Sequence, residues 1–306
     1  MDAYAHPTRR GLMLGAAAAA IWPSPSLAQH GPVHTKPIPS TGEAMPVVGL
    51  GTWITFNVGR DLEARDVCTD VISAFLAAGG RLIDSSPMYG SSQEVIGYGL
   101  AKLGRPANVF SADKVWISSG VSGPRQIEAS RRNWGVPRFD LLQVHNLLSW
   151  EAHLETLFGK KAAGEVRYVG ITTSEGRRHA EIERVMRQHP LDFLQVTYNP
   201  VDREVEKRIL PLARDRGIAV IANRPFQQGD LWTRLAKHPL PGVAADIGAN
   251  SWAQVILKYI VSHPAVTCAI PATTRVDHVR ENMAAASGPL PDTAMRARIS
   301  EHLETL

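Results

Sequence analysis

Four side chains in this sequence carry the chemistry needed to deliver a proton to an oxygen: Asp84, Tyr89, Lys114 and His145. Asp84 ends a short apolar run, Arg81-Leu82-Ile83, and Tyr89 follows within a Ser/Pro-rich stretch that closes at Gly90. Lys114 and His145 end later apolar runs, and these three ends lie about thirty residues apart. Singly, each has an ordinary explanation. An Asp caps a turn, a Tyr packs, Lys114 pairs with Asp113 on a surface, and a lone His sits satisfied in a core. Three successive strand ends that are all polar are harder to explain by accident.

A phenol has a solution pKa of about 10, too high to release a proton readily near neutrality. A neighbouring ammonium stabilises the phenolate and lowers that value, while Asp84 holds Lys114 charged and aimed. An imidazole within reach orients a substrate oxygen or shares the proton. The set fits a proton donor to a carbonyl oxygen whose carbon receives a hydride. It is a poor metal site, with one imidazole, one carboxylate and one lysine. Cys68 and Cys268 read as small buried hydrophobes without ligand spacing.

The elements that position these residues alternate. Residues 36–53 read as two short strands joined at 40–43, the second running on to Gly51. Helices are predicted over 61–78, 93–103, 124–134, 151–163, 175–188, 203–216 and 251–262. Strands are predicted over 81–84, 109–112, 139–144, 166–171, 193–197, 218–222 and 266–270. Strand ends recur at Gly51, Asp84, Lys114, His145, Thr172, Tyr198, Asn223 and Pro271, mostly about 25 to 33 residues apart. Eight such units make an α/β (β/α)8 TIM barrel, with the opening hairpin closing its bottom. A doubly wound sheet competes, but Gly49-Leu50-Gly51 lacks the third glycine and the immediate helix of a dinucleotide loop. The 306 residues, 44% hydrophobic and 20% charged, suffice for one barrel or two ordinary domains. With a net charge of +4 and no long basic run, there is no nucleic-acid footprint.

Residues 1–28 read as a separate segment. Arg9-Arg10, a short apolar middle and Ser26-Leu27-Ala28 have the layout of a twin-arginine export signal cut after Ala28, with an uncleaved flexible tail as the alternative reading. The apolar stretch 12–22 is too short for stable membrane insertion. The expected partner is the twin-arginine translocase, the expected location the periplasm, and the mature domain 29–306. Export in the folded state implies a cofactor acquired before export.

The sequence resembles the aldo-keto reductase superfamily over 34–306, through GLGTW (49–53), RLIDSSPMYG (81–90), the lysine of FSADKVW (110–116), FDLLQVHN (139–146), GEVRYVGITTS (164–174), DFLQVTYNP (192–200) and IPATTRVDHVRENM (270–283). The resemblance implies Tyr89 as general acid, Lys114 and Asp84 as its tuners, His145 as orienter, and NADPH or NADH as hydride source. It places Gly51, Thr52, Thr172, Thr173, Gln195, Asn223, Arg224 and Pro225 around the nicotinamide and pyrophosphate. It places Pro271, Thr273, Thr274, Arg275, His278, Glu281 and Asn282 at the adenosine end. Two departures stand out: Asn223 replaces a stacking aromatic ring, and Ala272 and His278 replace the lysine and arginine that often grip a 2′-phosphate. A pocket walled by Trp53, Met88, Trp116, Asn146, Phe226 and Trp232 suits an apolar or aromatic carbonyl substrate. The long stretch 227–249 reads as a lid or a structural excursion. Two other classes compete: a cofactor-binding redox-sensing barrel with little turnover, and a barrel hydrolase, which would need a second carboxylate across the site.

Overall fold

A computed structural model describes residues 31–306, and within them eight parallel strands form one sheet ordered strictly along the chain. The 1–28 segment lies outside the described residues. An antiparallel hairpin, β1 (Thr35–Pro37) and β2 (Ala44–Pro46), precedes the barrel strands. These are β3 (Leu50–Gly51), β4 (Leu82–Asp84), β5 (Phe110–Val115), β6 (Phe139–His145), β7 (Val166–Thr172), β8 (Phe193–Thr197), β9 (Ala219–Asn223) and β10 (Cys268–Ala269). Parallel bridges Val48–Ala269 and Gly51–Ala272 join the first and last strands, so the sheet meets itself as the (β/α)8 barrel expected from the spacing.

Alternation along each strand sets the interior. Leu82, Phe110, Ala112, Leu141, Tyr168, Phe193, Ile221 and Cys268 form one buried cluster, joined from the hairpin side by Ile38 and Met45. The hairpin therefore fills the bottom of the barrel, as its sequence position implied. One period of two further along, the inward positions become Asp84, Lys114, Gln143, Thr172 and Gln195, all buried. This switch from apolar to polar marks the rim where the sequence reading places its candidate site residues.

The surrounding helices follow their caps and apolar spacing. The helix Leu62–Ala77 begins under Asp61, whose carboxylate accepts the Ala64 N–H, and buries Cys68, Val71, Ile72 and Phe75 at three- and four-residue spacing. Gly80 must be glycine, because a Cβ there would stand 2.1 Å from the Phe75 ring. The helix Gly123–Trp134 carries Pro124 in its first turn and ends at Gly135 with φ 64°. The helix Trp252–Ser262 is buried all round because the chain's last helix, Thr293–Glu304, packs on it, with Ser300 Oγ donating to Tyr259 Oη at 3.1 Å.

Several boundaries differ from the sequence reading: the strand expected over 109–112 runs on to Val115, and the opening strand expected to reach Gly51 is broken into β2 and β3. The helix expected from 175 starts at His179, because Glu175 and Gly176 occupy left-handed backbone that interrupts the first turn. The helix expected over 203–216 divides into a 3-10 turn, Glu204–Glu206, and a helix, Ile209–Asp215. The last strand is only two residues long. The stretch 227–249 is not an open loop: it holds helices Asp230–Leu235 and Val243–Asp246, and Leu231, Leu235 and Ile247 are fully buried. Its apolar residues are packed into the core, and through Gln228, Gly229 and Trp232 it supplies a wall of the cavity below.

Candidate active site

Strands β4 and β5 lie side by side, and their inward-pointing ends bring Asp84 and Lys114 together. Lys114 Nζ is 2.6 Å from Asp84 Oδ2 and donates to the Ser85 carbonyl at 2.7 Å. The two side chains are 0% and 2% exposed. Asp84 Oδ1 accepts from Gln195 Nε2 at 2.8 Å, and Thr172 Oγ1 donates to Gln195 Oε1 at 3.0 Å. The carboxylate is thus held by Lys114 from β5 and by Gln195 from β8, the latter braced by Thr172 of β7. The surface pairing of Lys114 with Asp113 does not occur: Asp113 points out of the barrel to Gln93 and Trp134.

Tyr89 covers this ion pair. Its ring centroid lies 5.1 Å from Lys114 Nζ and 5.8 Å from the His145 ring, edge to face. Burial pushes the phenol up to about 12, against the pull of Lys114. The expectation that Lys114 brings the phenol below its solution value is corrected here, since desolvation of the phenolate outweighs the ammonium. The result still suits an acid, which has to enter the reaction protonated. Burial also works to lower the Lys114 ammonium, but Asp84 and Tyr89 prevail and its pKa lies above the usual lysine value. Burial, then Lys114, lowers His145 to about 2, so the imidazole is neutral.

These groups floor a cavity of about 430 Å³, within the range of small-molecule sites. Gly51, Thr52, Trp53, Asp84, Met88, Tyr89, His145, Asn146, Thr172, Gln195, Asn223, Arg224, Pro225 and Phe226 all line it, as does Trp232. Phe226 and Trp232 pack at 4.5 Å between centroids. Lys114 lies behind Tyr89 and does not reach the cavity surface. Trp116 is outside the lining, 39% exposed, with its ring 6.4 Å from that of His145. Thr173 is buried beside the cavity, its carbonyl accepting from Asn223 Nδ2 at 2.9 Å.

The adenosine-end residues stand apart from this cavity. Thr273 and Asn282 line a small neighbouring recess together with Pro271. Arg275 is paired with Asp277, its Nε 3.0 Å from Oδ1, and His278 Nδ1 is 3.4 Å from Thr273 Oγ1. Thr274 and Arg275 are exposed just before the helix Val276–Ala284, and Glu281 is half-buried in its second turn.

Several contributors carried no signal in the sequence. Ser92 Oγ donates to Thr52 Oγ1, Thr52 donates to the Asp84 carbonyl, each at 2.8 Å, and Ser85 Oγ meets Ser92 at 2.9 Å. This buried hydroxyl chain fixes the loop that presents Tyr89. Ile54, at the cavity mouth, adopts φ 63° although it is β-branched, a strained state of the kind that gathers at functional loops. Glu175 lines the cavity with its Oε1 3.7 Å from Arg224 Nη1.

A nicotinamide cofactor fits these residues. Arg224 Nη1 is buried in the cavity wall without a hydrogen-bond partner among the described residues, with the Glu175 carboxylate 3.7 Å away as its ion-pair partner, so an N–H there is free to donate to an anionic oxygen. The apolar and amide lining beside it suits a flat heterocycle.

The model of the aldo/keto reductase family matches residues 47–304, nearly the whole described chain. The chain belongs to the aldo/keto reductase family. This aldo/keto reductase is 29% identical over 258 residues to a methylglyoxal reductase, YeaE, of Escherichia coli K12, covering 82% of this chain and 89% of that one. It is 26% identical to an NADH-specific methylglyoxal reductase of the same organism, covering 88% and 98%. In fold it is similar to an aldo/keto reductase from Klebsiella pneumoniae solved with NADP and acetate, at TM-score 0.73 and 24% identity, covering 86% and 93%. No helix among the described residues is long and apolar enough to cross a membrane.

Proposed function

We propose that this aldo/keto reductase reduces aldehyde or ketone carbonyls to alcohols with NADPH or NADH. The observation that carries the reading is the buried Lys114–Asp84 pair seated behind Tyr89 on the cavity floor. Bound there, the nicotinamide supplies the hydride. Thr172, Thr173 and Gln195 would hold its carboxamide, and Asn223, Arg224 and Pro225 would lie along the nicotinamide and pyrophosphate. Thr273, Thr274, Arg275, His278, Glu281 and Asn282 serve the adenosine end.

Tyr89 gives its proton to the substrate oxygen as charge builds there. Lys114 then stabilises the phenolate, and Asp84 keeps Lys114 charged. His145, neutral, orients the carbonyl. A purely regulatory barrel has no need for this set, in which Tyr89, His145 and Asp84 line the cavity and Lys114 backs the phenol.

Trp53, Ile54, Met88, Phe226 and Trp232 give the cavity mouth an apolar character, which favours aromatic and bulky aliphatic aldehydes. Loaded with NADPH or NADH and offered a graded series, the enzyme is expected to show kcat/KM rising from methylglyoxal to aromatic aldehydes. Rates that fall with substrate size would contradict this pocket assignment, and absence of turnover on every carbonyl would contradict the function.

The paired arginines and the small-residue motif at Ala28 support export by the twin-arginine translocase to the periplasm. Replacing Arg9→Lys together with Arg10→Lys is expected to retain the protein in the cytoplasm. Unchanged periplasmic recovery on cell fractionation would refute export by this route.

A further inference from the structure

His145 ends β6, and one of its ring nitrogens, Nδ1, lies 2.7 Å from Ser86 Oγ. Ser86 is 0% exposed, two residues after Asp84 on the loop that presents Tyr89. The same oxygen accepts the Met88 backbone N–H at 3.2 Å. A serine hydroxyl has one proton and two lone pairs, so this contact admits two arrangements. Were Nδ1 protonated, it would donate to Oγ, and the serine proton would need a third partner. Among the described residues, Ser86 Oγ has none beyond Met88 N–H and His145 Nδ1. A buried hydroxyl proton without an acceptor is strongly disfavoured. In the other arrangement every group is satisfied: Met88 donates to Oγ, and Oγ–H donates to Nδ1.

We propose that Ser86 is a positioning residue that donates its hydroxyl proton to His145 Nδ1, and so holds His145 as the Nε2–H tautomer facing the cavity. No hydrogen bond within the described residues engages Nε2, and His145 lines the cavity. The depressed basicity of the ring agrees, since the charged form, with both nitrogens donating, is excluded. The tautomer matters because Nε2–H donates to a carbonyl oxygen, whereas a bare Nε2 would set a lone pair against it. It also divides the labour: His145 orients, and Tyr89 alone supplies the proton.

This inference rests on carbonyl reduction for its kinetic consequence but not for its spectroscopic one. Nitrogen-15 NMR of the full chain labelled at histidine, with His145 assigned by its loss in His145→Gln, reads the tautomer without turnover. The expected wild-type pattern is Nε2 protonated and Nδ1 bare. Ser86→Ala is expected to mix the two tautomers and to lower kcat about 10- to 100-fold, as loss of an oriented catalytic group does. Ser86→Cys keeps the volume with a much weaker donor and is expected to fall between the two, which decides the matter if the alanine variant fails to fold. A wild-type His145 protonated on Nδ1, or an Nε2–H pattern unchanged in the folded variants, would overturn the proposal. Absence of turnover by the wild type would instead count against the functional reading and leave the tautomer measurement standing.

Discussion

Tyr89→Phe is expected to lower kcat/KM for aldehyde reduction by about 10²- to 10⁴-fold, the usual worth of a positioned general acid, with little change in cofactor binding measured by fluorescence titration. The ring stays, so its contacts with Lys114 and His145 are kept, at 5.1 and 5.8 Å between the ring centroid and Nζ or the imidazole centroid. Only the hydroxyl leaves. Because the loss is of an interaction made in the transition state, it should fall on kcat and leave KM nearly alone. If kcat stays within a few fold of the wild type, another group donates the proton. Lys114 is too well paired with Asp84 for that role, and His145 is neutral and too weakly basic to be a proton reservoir.

The largest expected effect on stability comes from the ion pair behind the phenol. Lys114→Met strands Asp84, 2% exposed, with only amide donors from Gln195 and Gln143 for company. Breaking one side of a buried pair costs about 3–5 kcal/mol. The midpoint of urea unfolding should drop accordingly, and activity should fall with it, because the phenolate loses its cation. Asp84→Asn combined with Lys114→Met removes both charges, and much of the lost stability is expected to return while activity does not. A double variant as unstable as the single one would show that packing rather than charge explains the loss. The pH behaviour follows from the lysine. Since its folded value lies above the usual lysine value, its contribution is complete below that value and is lost only as alkali carries the pH through the folded value.

The barrel, and the gathering of Asp84, Tyr89, Lys114 and His145 at one end of it, were legible in the sequence for one physical reason. Inward positions alternate along each strand, and the residues at the ends change from Leu, Phe and Tyr to Asp, Lys, Gln and His where the interior meets the cavity. The spacing of those ends reflects the length of one strand-helix unit. Features held by contacts between distant loops left no such trace. The hydroxyl chain Thr52–Ser92–Ser85 joins residues that only the packing of β3 on β4 brings together, and three ordinary Ser and Thr residues do not announce it. Ser86 is equally silent in a Ser-Ser-Pro stretch, although it touches His145. The short β10 was overread because 266–270 is apolar throughout, whereas closure against β3 takes only two residues and two bridges. The phenol's pKa was misjudged because sequence shows a charge nearby but not the burial that opposes it.

In the proposed reaction the hydride comes from the nicotinamide and the proton from Tyr89 in one oriented step. A single-turnover experiment on the full chain preloaded with NADPH, mixed with an aromatic aldehyde in H2O and in D2O, tests it most directly. The expected result is loss of reduced-nicotinamide absorbance in step with alcohol formation, slower in D2O, and nearly abolished in Tyr89→Phe. Absorbance loss without alcohol, or an undiminished single turnover in Tyr89→Phe, would contradict it.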